Sequence, residues 1–347
     1  MLGIERSAAR STWTAALVVL LLWLVYLVRA TLFIFILALL FAYLLAPLVN
    51  LIDRFLPASR TRTPALALAY VIFVGVVVLV GTQIGSRVVE QANLLAQRFP
   101  KMVGDWVQSS PGGAQVVSAL KAEVAKRSSD LISALPQAGM KLLTVASNVI
   151  YVVIIPILAF FFLKDAGVIR RHILEIVEEG PRRALLDDVL ADGHLLLAHY
   201  MRALVLLSLC TFTAYSIFFS IMGVPYGILL GALAGLLEFI PMVGPLAAGL
   251  TILLVAGVSG AHVLAIVIFI LAYRVFQDYV VSPHLMGQGV ELHPLLVLFG
   301  VFAGAGVAGI AGTFLSVPVL ALVRIVYLRI RKARLSALQS PAGAASR

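Results

Sequence analysis

Residues 226–257 read YGILLGALAGLLEFIPMVGPLAAGLTILLVAG, thirty-two positions carrying one charge, Glu238. An unbroken helix of that length would reach about 48 Å, whereas the hydrocarbon core of a bilayer is ~30 Å thick. The motif PMVGP at 241–245 interrupts the run. Pro241 and Pro245 lack an amide donor and Gly244 tolerates left-handed geometry, so backbone carbonyls lose their helical partners there. Two arms of about 13 residues would each span roughly 20 Å, to mid-membrane and back. A second run, 294–327, is interrupted by GVFAGAGVAGIAG at 300–312, and a conventional span at about 261–281 separates the two. Each run either crosses once, giving eight transmembrane helices, or returns as a hairpin, giving six full spans and two opposed re-entrant hairpins. Charge parity treats the two drawings alike, and length favours hairpins with tips near 241–245 and 304–309. Paired broken segments are a feature of secondary transporters.

The remainder of the chain is built for lipid. Of 347 residues 62% are apolar and 12% charged, about half the charged fraction of a soluble domain; the mean hydropathy is +1.06. A soluble globular protein is excluded. The net charge of +10 follows from the accumulation of Lys and Arg in cytoplasmic loops and needs no nucleic acid. Cys210, the one cysteine, lies in an apolar run and reads as packing, which leaves no disulfide or thiol cluster.

Residues 12–52 hold one charge, Arg29, and would make a helix of roughly 60 Å. They are expected to fold back at Arg29 and Ala30 into spans of about 12–28 and 30–52. Further spans are expected at 64–86, 145–163 and 203–222. The predicted organisation is three spans in 1–86, an extracytoplasmic helical segment at 87–144, and the fourth span at 145–163. Amphipathic helices on the cytoplasmic membrane surface follow at 164–202, then a transport core at 203–327 and a basic tail at 328–347. Within 87–142, Leu95, Phe99, Met102 and Trp106, then Val117, Leu120 and Val124, recur at helical spacing. Lys and Arg number 16 in 1–11, 53–63, 164–202 and 328–347, against 8 in Arg29 and 87–142, which puts both termini in the cytoplasm.

The stretch from GVPYG at 223 through SVPV at 319 resembles the signature half of the autoinducer-2 exporter-like family of bacterial membrane transporters. The Pro-x-x-Gly-Pro break preceded by a Glu, the proline-containing loop and the glycine-rich final segment are carried by Glu238, Pro241, Gly244, Pro245, Pro283, Pro294, Gly304, Gly309 and Pro318. The carboxylate before the loop proline is shifted by one place, as Arg274, Gln277 and Asp278. The resemblance implies a multi-pass inner-membrane transporter, not an enzyme, working by alternating access and assembling as a homo-oligomer, with a pentamer as the expected form. It also implies either export of a small polar signal such as autoinducer-2 or sodium–proton exchange.

Glu238 is the residue that most needs a reason, because a carboxylate at the bilayer centre costs about 2.5–3.5 kcal/mol on insertion scales. It binds a cation, proton or solute, pairs permanently with Arg274, or faces solvent at the end of its arm. Arg274, Gln277 and Asp278 share a helical face expected to line the pathway, as are Pro241, Gly244, Pro245, Gly304, Gly306 and Gly309. Arg202 reads as an interfacial side chain or, failing that, a pathway residue, and Gly231 and Gly235 as a close-packing pair. His262, His284 and His293 lack metal-ligand spacing, so no metal is assigned, and no cofactor is expected without a P-loop or nucleophile elbow. The partners expected are therefore a small polar solute, a proton or sodium ion, and lipid. Three readings remain: a secondary transporter, a cation–proton antiporter, and a membrane scaffold acting through 87–142.

Overall fold

The computed structural model describes residues 6–55, 63–108, 153–286 and 292–339. Those residues form an all-α membrane protein, with five helices long and apolar enough to cross a bilayer: Arg29–Phe55, Thr63–Trp106, Pro181–Ile221, Val263–His284 and Pro294–Leu335. The expected segments 109–144, the first residues of the fourth span and the loop around Gln288 lie outside the described residues.

Helices α1 (Arg6–Leu27) and α2 (Arg29–Phe55) do not fold back on each other. The Val28 amide donates to Leu24 O and the Leu32 amide to Val28 O, both at 3.0 Å, so the α-helical ladder runs straight through the junction. Neither glycine nor proline occurs between 12 and 46 to break it. The Arg29 guanidinium, expected to mark a reversal, instead lies 4.0 Å over the Tyr26 ring one turn back, a partner that lets it stay on the helix. Arg6 and Phe55 thus lie at opposite ends of one rod, and a Lys and Arg count does not put both on one side. Apolar side chains of α1 are exposed all round, from Trp13 to Leu27, as befits a helix surrounded by lipid.

Helix α3 (Thr63–Val80) passes through a π-helical turn, Gly81–Gly85, directly into α4 (Ser86–Gln108). The third span and the start of the extramembranous segment are thus one rod. Its amphipathic end buries Ala92, Leu95, Phe99 and Val103 in one cluster with Leu229, Leu230 and Ile252 of the first broken run, and Gln91 Oε1 accepts the Leu229 amide at 2.9 Å. Ala65, Leu66 and Ala69 of α3 pack with Val49 and Ile52 of α2 and with Phe160 and Leu163 of α5 (Ile155–Lys164); the alanines let the backbones approach closely.

After α6 (Ala166–Glu175), α7 (Pro181–Ile221) runs unbroken for 41 residues. Residues 181–202, expected to lie on the membrane surface, are the continuation of the fifth span. Arg329 ties the two ends of the core together: it donates from Nε and Nη2 to Asp192, at 2.6 and 2.8 Å, and from Nη1 to Asp188 at 2.8 Å.

The first broken run is α8 (Gly227–Leu237) and α9 (Val243–Val258), which pack on one another. Gly227, Gly231 and Gly235 form a stripe against α7, where an added methyl would strike Phe219 Cβ, Ser216 and the Ser208 carbonyl respectively. The close-packing pair expected at 231 and 235 is therefore one turn longer. Helix α10 (Val263–Phe276) continues through the π turn Gln277–Val281 into α11 (Ser282–Met286). An aromatic core of Tyr215, Phe218, Phe219, Phe269 and Tyr273 joins α7 to α10, with Phe218 and Phe269 stacked at 3.9 Å.

The second run is α12 (Pro294–Gln339), broken at Ala308 (φ −140°, ψ 23°) and Gly309 (φ 59°, ψ −140°). In a straight helix Gly304 and Gly312 would stand about 12 Å apart. Here a methyl on either would strike the carbonyl oxygen of the other, and one on Gly300 would meet Leu320 and Ser316. The chain reverses at 308–309, inside the range expected for the tip.

Candidate functional site

The tip of the first run spans Glu238 to Met242, slightly ahead of the expected 241–245. The Ile240 amide donates to Leu237 O at 3.0 Å and the Val243 amide to Pro241 O at 2.7 Å, so two tight turns replace the helix. The positive φ falls on Met242 rather than on Gly244. Gly244 is inside α9, and it is glycine because any Cβ there would collide with the Leu237 carbonyl oxygen.

Around this tip the polar side chains converge. Gln277 Nε2 donates to Glu238 Oε2 at 2.9 Å, and the Thr211 hydroxyl lies 3.4 Å from Glu238 Oε1 and 3.0 Å from the Tyr273 hydroxyl. Arg274 stands between two carboxylates, with Nε donating to Asp278 Oδ2 at 3.0 Å and Nη1 at 3.8 Å from Glu238 Oε1. The Glu238 side chain is 9% exposed and Gln277 2%, depths at which an unpartnered polar group is costly. Arg274 Nη1 and Gln277 Oε1 are nevertheless buried without a hydrogen-bond partner among the described residues. One is a donor and the other an acceptor, so a solute bearing both groups would complete the set.

Two cavities meet here. The larger, about 840 Å³, is lined by Asp192, His199, Arg202, His284 and Pro318 as well as by the tip. The smaller, about 410 Å³, lies toward Thr211, Tyr215 and Leu253. Glu238, Met242, Pro245, Arg274 and Gln277 line both and so form the partition.

Of the residues expected at the site, Glu238, Pro241, Pro245, Arg274, Gln277 and Asp278 are brought together, with Gly244 packed beneath them. Gly304, Gly306 and Gly309 are not. The second run meets the tip five residues past its own turn, through Phe314, whose ring is 5.9 Å from that of Phe239, and it lines the large cavity with Val317 and Pro318. Arg202, read as interfacial, lines that cavity too. Thr211 and Tyr273 escaped the sequence reading because a hydroxyl in an apolar helix carries no spacing signal.

The family described as AI-2E family transporter matches residues 15–332. The chain belongs to that family. This AI-2E family member is thus a multi-pass membrane transporter of small polar solutes and not an enzyme. It is 29% identical over 184 residues to the putative transport protein YrrI of Bacillus subtilis, covering 52% of this chain and 51% of the relative. With the putative transport protein YueF of the same organism it shares 25% identity, over 83% of this chain and 81% of the relative. With the putative transport protein MT0215 of Mycobacterium tuberculosis it shares 27%, over 88% and 84%.

Proposed function

We propose that the protein exports a small polar solute, an autoinducer-2-like signal being the family's namesake type, by alternating access at the Glu238 tip. The observation that carries this is the partition itself. One buried carboxylate stands between two cavities, and beside it are a donor and an acceptor without hydrogen-bond partners among the described residues. A solute held there contacts both sides, and a small shift of the tip changes which cavity it faces.

In this reading the two broken runs are opposed re-entrant hairpins. Lys and Arg counting puts 53–63, 164–180 and 328–347 on the cytoplasmic side, so the large cavity, bordered by Asp192, His199 and His284, opens inward. The first hairpin then enters from outside and the second from inside, with Phe239 and Phe314 meeting between them. Residues 203–327 form the transport core and 328–347 a cytoplasmic tail. The turn of the second hairpin leaves Val307 and Ile310 about four-fifths exposed, at 85% and 79%. Non-helical backbone at membrane depth must face protein or water, which supports a homo-oligomer, a pentamer being the expected form, with a second copy covering the turn.

A second reading, sodium–proton antiport, is favoured by Arg274 lying between Glu238 and Asp278. A cation or proton that neutralises either carboxylate would release the arginine to the other. Counterflow in proteoliposomes across a panel of small polyols, hydroxylated signals and monovalent cations separates the two. Exchange of labelled solute without a pH or sodium requirement supports the first; solute-independent sodium–proton exchange supports the second. Absence of both leaves only a scaffold.

A further inference from the structure

Five side chains divide the two cavities, and four of them are held in place. Glu238 is bonded to Gln277, Arg274 is bonded to Asp278, and the Pro245 ring is rigid. The fifth is Met242, unbranched, 43% exposed and free to turn about three side-chain bonds. It can leave the partition without breaking a polar contact.

Its backbone is also unlike that of its neighbours. At φ 62° and ψ −51°, with the Val243 amide donating to Pro241 O, Pro241–Met242–Val243 form a γ-turn of the rare, strained hand. The other non-glycine residue with positive φ among the described residues, Tyr226 at 62° and 25°, sits in the ordinary left-handed well. The strain is concentrated on Met242 because the residues around it cannot take it up. Pro241 has its φ fixed by its ring, and Gly244 is pressed against the Leu237 carbonyl oxygen. Strain of this kind persists only where the surroundings over-determine it, and it collects at sites that switch.

We propose that the Met242 side chain is the movable barrier between the two cavities and sets the size of what passes from one to the other. This rests on the transport reading above, in which solute crosses the partition. In the conformation described, the methionine closes the way past Glu238 toward Thr211 and Tyr215. Relaxation of the turn swings it aside and joins the two spaces. An isosteric apolar replacement keeps the barrier, and a small one removes it.

The test reads access rather than transport. In a Cys210→Ala background, Leu253→Cys places one thiol in the smaller cavity alone. Its reaction with a membrane-impermeant trimethylammonium methanethiosulfonate is followed in inside-out vesicles, with right-side-out vesicles as the comparison. With Met242 present the reaction from the cytoplasmic face is expected to be slow. Met242→Ala should speed it about tenfold or more, the effect of a one-decade gain in the open population, and Met242→Leu should leave it slow. Met242→Gly, which accepts positive φ without strain, serves where the alanine variant does not assemble and should also be fast. An unchanged rate in the alanine and glycine variants, or equal acceleration by leucine, overturns the barrier. The transport reading stands or falls separately, on whether Glu238 variants lose solute exchange.

Discussion

Glu238→Gln is expected to assemble normally, to bind solute weakly and to lose every dependence of transport on protons or cations. The amide keeps the volume of the carboxylate and can still bond to Gln277 and Thr211, but it carries no charge for Arg274 to face or for a cation to replace. Glu238→Ala removes the contacts as well. Truncating one partner of a buried, hydrogen-bonded charge set costs about 2–5 kcal/mol, which is roughly thirtyfold or more in affinity at about 1.4 kcal/mol per decade. Solute exchange in proteoliposomes should therefore fall at least that far in the alanine variant and less in the glutamine variant. Both are compared with the parent across pH and sodium concentration. Parent-like exchange by both variants at every condition would make the carboxylate structural and move the site to Gln277 and Asp278.

The second large effect separates four glycines that look alike in the sequence. Gly304→Ala places a methyl against the Gly312 carbonyl in the neck of the second hairpin, where backbone meets backbone and no side chain can give way. Overpacking of this kind costs about 1–3 kcal/mol, and Gly312→Ala should match it. Gly309→Ala forces a side chain into φ 59°, ψ −140°, a region essentially restricted to glycine and costly by about 1–3 kcal/mol. Gly306 has open space around its Cα, so Gly306→Ala is expected to be neutral within about 0.5 kcal/mol. Thermal unfolding midpoints of the purified variants in detergent check the order. Equal behaviour of Gly304→Ala and Gly306→Ala would mean that the chain does not reverse at 308–309.

The broken runs were legible because length and composition conflict within them: thirty-odd apolar residues are too long for one crossing, and proline or glycine marks where the helix ends. Glu238, Arg274, Gln277 and Asp278 stood out for a related reason, since polar groups at that depth are expensive, and the spacing of the last three puts them on one helical face. The junction at Val28 was not legible. Excess length demands a bend somewhere, but it does not say where, and a local partner for Arg29 on Tyr26 keeps the helix whole. The role of Gly244 was misassigned because sequence names a residue permissive of positive φ without distinguishing that use from close approach. The glycines of the second hairpin drew attention as site residues through composition, yet the contact with the first hairpin is made by Phe314, an aromatic among many. Thr211 and Tyr273 become visible only once α7 and α10 are set side by side.

The transport reading requires that the Glu238 tip, where it meets the second run at Phe314, moves against that run. Phe239 and Phe314, with ring centroids 5.9 Å apart, allow this to be measured in one experiment. Phe239→Cys and Phe314→Cys are combined in the Cys210→Ala background, and oxidative or bifunctional methanethiosulfonate cross-linking within one subunit is followed together with solute counterflow in proteoliposomes. The expected result is efficient intrasubunit cross-linking that stops counterflow, with both effects reversed by reductant. A pair that does not cross-link while counterflow proceeds, or one that cross-links without slowing it, would contradict transport by movement of the Glu238 tip against the second run.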